Sequence, residues 1–173
     1  MRRPLVIEDY NPEWPALYTA EERRILRAIG HVVVAVEHVG STSVPGLGAK
    51  PIIDIMVGVR QLADAEVCIA LLERIGYEYV PEYEALLPER RYFRKGTPVR
   101  THHLHMVEQT SGFWARHILF RDHLRAHPEM ARQYQDLKKE LAATVERSAY
   151  TDAKTPFIES VLAQARATKA TEN

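Results

Sequence analysis

Glu37-His38-Val39-Gly40-Ser41-Thr42-Ser43-Val44-Pro45-Gly46-Leu47 is followed, after Gly48 and Ala49, by Lys50-Pro51-Ile52-Ile53-Asp54-Ile55-Met56-Val57-Gly58-Val59. The lead-in from His31 to Val39 is rich in valine and predicts a strand buried for most of its length. Gly40 lets the backbone come close to a ligand, and the three hydroxyl residues after it, with their N–H groups, make a concavity suited to phosphate oxygens. For Gly-Ser-Thr-Ser alone, a polar turn capped by serines is the commoner outcome. The glycine and lysine spacing of a Walker loop is absent. Asp54, 11 positions after Ser43, changes the balance because it interrupts a second, almost wholly apolar strand. A carboxylate there has to be paired, hydrogen-bonded or bound to metal, since burying it bare costs several kcal/mol. A strand after the Gly-Ser turn returns Asp54 to that turn. A hydroxyl-lined phosphate pocket facing a carboxylate able to hold Mg²⁺ is the minimum apparatus for phosphoryl or nucleotidyl transfer.

Upstream, Leu5-Val6-Ile7 reads as a short strand, with Asn11 as cap and Pro12 as first residue of a helix striped by Trp14, Leu17, Tyr18, Ile25 and Ile29. Downstream, Gln61 to Ile75 has helical periodicity and stops at Gly76, while Tyr77–Val80, Arg90–Arg94 and Thr101–Glu108 predict strands. From about Gly112 the chain is helical, with stripes Phe113, His117, Phe120, Leu124 and then Met130, Tyr134, Leu137, Leu141, Val145. Thr155-Pro156 predicts the start of a last helix, and the tail from about Ala167 is expected to fray. The order predicts an α/β (α+β) fold: one mixed sheet with packed helices and a helical C-terminal segment, residues 1–173 forming one domain.

With 173 residues, 46% hydrophobic and 27% charged, the chain can bury a core without staples. Zero formal net charge removes any overall commitment to nucleic acid or membrane. No stretch approaches the roughly 20 apolar residues of a membrane span, and the N-terminus lacks the apolar run of a secretory signal. The single cysteine, Cys68, excludes an internal disulfide, suits the cytoplasm and reads as a buried helical thiol.

The Gly-Ser turn followed by an aspartate on the next strand resembles the DNA polymerase β-like nucleotidyltransferase superfamily. The longer text from Glu37 to Leu47 with Lys50 to Ile55 is similar to the GrpB family within it. That similarity continues through Phe93-Arg94-Lys95, His103-Leu104-His105, Leu119-Phe120-Arg121-Asp122, Tyr134 with Lys138, and Tyr150 with Lys154. The resemblance implies a nucleotidyltransferase-like fold. It also implies, in active members, a second acid two residues after the first, where this chain has Met56. GrpB-like domains are found fused to dephospho-coenzyme A kinases, which implies that enzyme as a partner.

Thr101, His103, His105 and Val107 share one face of their strand, so both imidazoles can point into the site together. Three readings stay open: His103 and His105 join Asp54 on a metal, they bind phosphate or act as general base, or they form a polar layer without turnover. Glu37 is either a replacement acid or half of a structural salt bridge. Lys50, Arg94, Arg121, Lys138, Tyr150 and Lys154 could wall the cleft opposite Gly40, Ser41, Thr42 and Ser43; Arg90 and Arg91 could add to that wall, although solvated charge is the commoner outcome for them. Tyr77, Tyr79, Tyr83 and Tyr92 read as core and edge residues. The leading expectation is binding of a nucleoside triphosphate with Mg²⁺ or Mn²⁺ and transfer of its nucleotidyl group to a small acceptor. The alternatives are a non-catalytic nucleotide- or coenzyme A-related accessory domain and a metal-dependent phosphohydrolase.

Overall fold

In the computed structural model, which describes residues 6–146 and 148–171, alternation of apolar residues sets both faces of one sheet. The chain runs α1 (Trp14–Ile29), β1 (Val33–Val39), β2 (Ile53–Val59), α2 (Ala65–Arg74), β3 (Tyr77–Tyr79), β4 (Arg90–Lys95) and β5 (His102–Glu108). Four further helices follow: α3 (Gly112–Ala126), α4 (Pro128–Thr144), α5 (Tyr150–Ala153) and α6 (Thr155–Thr171). The strands form a five-stranded mixed sheet in the order β1-β2-β5-β4-β3. Only β2 and β5 run parallel, with α2, β3 and β4 supplying the crossover.

One face carries Ile53, Ile55, Val57, Val59, Phe93, Leu104 and Met106, packed on Ile25 and Ile29 of α1 and Cys68 and Leu72 of α2. The opposite face is closed at one end only, where Trp114 of α3 covers Val39, Met56 and Val107. The rest of that face stays open and becomes the cleft. A second apolar cluster, Val44, Leu47, Leu124, Ala131, Tyr134 and Val161, ties the segment after Gly40 to α3, α4 and α6. The C-terminal helices thereby hold the glycine-serine turn against the sheet.

The mixed sheet with packed helices and a helical C-terminal segment is the α/β (α+β) architecture that the order of elements predicted, with the Gly-Ser turn between its first two strands. Some local expectations need correction. β1 lies at the sheet edge and is mostly half-exposed, with Val34 at 48%, because it has a neighbour on one side only. Val6 and Ile7 join no ladder (Leu5 lies outside the described residues); the neighbouring contact is a bridge between Glu8 and Ala49. Asn11 caps the turn before α1, accepting from the Glu13 N–H at 2.9 Å, and the helix itself starts at Trp14. α6 continues to Thr171, beyond the expected fraying point. No described helix is long and apolar enough to cross a membrane.

Candidate functional site

Gly40 ends β1 with φ 70° and ψ −175°, a conformation open essentially to glycine alone. A Cβ there would lie 2.5 Å from Oδ2 of Asp54, so the turn and the acid are in direct contact. Ser41–Ser43 form one 3-10 turn whose hydroxyls have three separate tasks. Ser41 Oγ accepts from Lys138 Nζ at 2.9 Å, and Thr42 Oγ1 pairs with His38 Nε2 at 2.9 Å. Ser43 Oγ donates to the Gly40 carbonyl at 2.5 Å and does not line the cleft, so its expected role on phosphate is corrected: it braces the turn.

Asp54 is flanked by Val39 on β1 and His103 on β5, so the three side chains share the open face. His103 Nδ1–H donates to Asp54 Oδ1 at 3.1 Å, which leaves Nε2 as the acceptor atom of the neutral ring. His105 is placed differently. A guanidinium only donates, so the 3.3 Å contact from Arg90 Nη1 makes His105 Nδ1 an acceptor and puts the ring proton on Nε2, 3.8 Å from Asp54 Oδ1. Burial lowers the His105 pKa against the pull of Asp54. For Asp54, burial opposes ionisation, but the imidazole N–H groups outweigh it and hold the carboxyl well below its usual range. Asp54, His103 and His105 therefore converge on one spot, with His103 hydrogen-bonded to the carboxylate and the His105 Nε2 beyond hydrogen-bond distance at 3.8 Å.

Met56, where the resemblance led to the expectation of a second acid in active members, is fully buried in the cluster capped by Trp114. Among the described residues, no three His, Cys, Asp or Glu side chains converge as ligands of one metal ion. The protein's own groups thus offer a Mg²⁺ or Mn²⁺ ion a single carboxylate and no oxygen cage.

The cations divide into two sets. Lys50, Lys138 and Lys154 line the cleft with Gly40 and Ser41. Lys50 and Lys154 stand over the Tyr150 ring at 4.2 and 4.7 Å, and Lys138, only 3% exposed, donates to Ser41 Oγ and to the Gly48 carbonyl. Burial and the neighbouring charges of Lys154 and Lys50 bring the Lys138 pKa down to about 7. Burial also lowers that of Lys154. Arg94 and Arg121, expected on the wall, are elsewhere. Arg94 makes a bidentate contact with Glu78 on the outer strand at 2.6 and 2.7 Å. Arg121 bonds Glu37 at 2.5 Å, the His38 carbonyl at 3.0 Å and Asp122 at 2.8 Å, clasping α3 to β1. Glu37 is accordingly a structural partner and not a replacement acid.

The cleft is a cavity of about 760 Å³ that reaches from Gly40 past Asp54 to Arg90 and Tyr92 on β4. Arg90, weighed as an addition to the cationic wall, does line the cleft, while Tyr92 and His117 were not legible as site residues. Strand alternation carries the missing signal for Tyr92, since Arg90 and Tyr92 sit two apart and Tyr92 registers with His105. His117 enters from α3, stacked on Phe113 at 4.1 Å, and burial lowers its pKa to about 4.

Residues 4–164 match the family model described as GrpB protein. This chain belongs to the GrpB family. The crystal structure of conserved protein GrpB from Enterococcus faecalis superposes with a TM-score of 0.84 at 37% identity, covering 92% of this chain and 96% of that one. UPF0157 protein YqkA of Bacillus subtilis is 42% identical over 82% of this chain, which spans 41% of YqkA. A dephospho-CoA kinase of Mycolicibacterium paratuberculosis is 30% identical over 90% of this chain, which spans 44% of it. This chain thus spans less than half the length of both of these relatives.

Proposed function

We propose that the cleft binds a nucleoside triphosphate and transfers its nucleotidyl group to a small hydroxyl- or amine-bearing acceptor. The observation that carries this reading is the lysine trio. Lys50, Lys138 and Lys154 line one cavity with Gly40 and Ser41, and of the two carboxylates that also line it, Asp54 and Asp152, the first is already hydrogen-bonded by His103. A lysine whose proton affinity is lowered by burial and by two neighbouring ammonium groups belongs to a site whose charge a polyanion relieves.

In the transfer step, His103 Nε2 takes the proton of the acceptor while Asp54 orients the ring and stabilises the imidazolium. The acceptor atom forms a bond to the α-phosphorus, the bond from that phosphorus to the bridging oxygen breaks, and pyrophosphate leaves against the lysines. Mg²⁺ or Mn²⁺, arriving with the phosphates and held by Asp54, would add neutralising charge.

Thermal unfolding with nucleoside triphosphates and with inorganic tripolyphosphate tests the binding half: a rise in Tm that grows with ligand concentration is expected. No rise with either ligand, with and without Mg²⁺ or Mn²⁺, overturns it. Pyrophosphate release tests the transfer half.

A second reading is a nucleotide- or coenzyme A-related binding domain without turnover, accessory to a dephospho-coenzyme A kinase. Met56, sealed in an apolar cluster, favours it, and the GrpB-like segment within the mycobacterial kinase gives it a context. Ligand binding with no pyrophosphate release is its signature. The phosphohydrolase reading, which needs Asp54, His103 and His105 around one metal, has less support, because both imidazoles are turned to the carboxylate.

A further inference from the structure

The cleft has two chemically different ends, and sheet order sets their direction. Gly40 and Ser41 follow β1, Asp54 is on β2, His103 on β5 and Tyr92 on β4, in the spatial order β1-β2-β5-β4. Three interstrand steps span about 14 Å. Lys138 stands at the β1 end through its bond to Ser41. At the β4 end the lining is Tyr83, Leu86, Arg90 and Tyr92.

That second end is unusual for a surface. Leu86 is 79% exposed and Tyr83 45% exposed, both at the rim of the cavity and not scattered singly. Tyr83 meets Tyr92 edge-on, with ring centroids 5.6 Å apart at 64°, and Arg90 lies over the Tyr92 ring at 5.0 Å. Tyr83, Leu86 and Tyr92 thus line this end of the cleft together, with Arg90 over one of the rings. A flat aromatic group covers such a surface well, and stacking on it is tolerant of which base is presented.

We propose that Tyr83, Leu86 and Tyr92 form the subsite for the base of the nucleotide, so that the ligand lies across the sheet. Its β- and γ-phosphates rest at the lysine end, and its α-phosphorus comes over Asp54 and His103. This orientation selects attack at the α-phosphorus, hence nucleotidyl and not phosphoryl transfer. The inference rests on the lysine end being a phosphate site.

Isothermal titration of ATP and of inorganic tripolyphosphate into the wild type, Tyr83→Ala and Leu86→Ser separates the two claims. The wild type should bind ATP more tightly than tripolyphosphate. Tyr83→Ala should weaken ATP about tenfold, the loss of one stacked ring, with Leu86→Ser acting in the same direction, and neither variant should alter tripolyphosphate affinity. Tripolyphosphate binding as tight as ATP in the wild type, or ATP affinity unchanged in both variants, overturns the base subsite while leaving the phosphate site standing. Equal weakening of both ligands by the variants also overturns it. A wild type that binds neither ligand removes the phosphate site and the base subsite together. If Tyr83→Ala does not fold, Leu86→Ser decides the matter at an exposed position.

Discussion

Oδ2 of Asp54 occupies the space in which a side chain at Gly40 would begin, 2.5 Å from an ideal Cβ. The acid and the turn are therefore one feature: Gly40 is glycine both because its φ is 70° and because the carboxylate is against it. Gly40→Ala should cost about 1–3 kcal/mol from the backbone alone, lowering Tm by a few degrees. It should also displace Asp54 and abolish the ligand-induced rise in Tm. Differential scanning calorimetry with and without nucleotide measures both effects.

Asp54→Asn keeps the shape and removes the charge that orders two imidazoles. The far-UV circular dichroism should be unchanged, and pyrophosphate release should fall by about a hundredfold or more, the range for losing an oriented proton acceptor. Retained activity in the folded variant would rule out the His103–Asp54 unit as the base.

Lys138 gives the protein a pH dependence of known sign. In the fold its pKa is brought down from the ordinary 10.5 to about 7, so between these values the unfolded chain holds the extra proton and stability rises with pH. Below pH 7 both states are protonated, so the slope vanishes while the cost of the buried ammonium is at its full value; it is relieved as pH rises from 7 towards 10.5. Lys138→Met should flatten the rise in stability from pH 7 to 10 seen in urea titrations. A bound polyanion should restore the proton, so calorimetry near pH 8 in buffers of different ionisation enthalpy should show proton uptake on binding by the wild type, reduced in Lys138→Met.

The two arginines that leave the cleft should behave differently from each other. Arg121, 8% exposed with three partners, holds α3 to β1; Arg121→Met should destabilise by about 1–3 kcal/mol, measured by denaturant midpoint. Arg94→Ala breaks only an exposed pair with Glu78 and should leave both the midpoint and nucleotide affinity within scatter.

Met56→Asp tests whether the site lacks only an acid. The residue is fully buried beneath Trp114, between Glu37 and His105 in register, so an aspartate there would be desolvated and set against an existing carboxylate. Several kcal/mol of destabilisation should follow, with no gain in pyrophosphate release. A stable, more active variant would show that the apolar cluster opens readily.

Much of this was legible from local pattern. Apolar runs interrupted by Asp54 marked a strand with a polar exception, and the spacing of His103 and His105 placed both on one face. Edge exposure of β1 was not legible, because valine suits an edge and a centre alike and only strand order distinguishes them. The same holds for the cations. Arg94, Arg121 and Lys138 are all single basic residues bordering apolar ones, and nothing local reveals that the first finds Glu78, the second Glu37 and the third Ser41.

The sequence by itself determined the secondary elements, the glycine-serine bend, the lone acid and the membership of the GrpB family, because periodicity and turn chemistry act over a few residues. Tertiary structure alone decided which charges face the cleft, since each long side chain can reach several partners and packing chooses among them. It also decided the tautomers of the two histidines, the burial of Met56 and the aromatic end formed by Tyr83, Leu86 and Tyr92, each of which depends on residues distant in the chain meeting across the sheet.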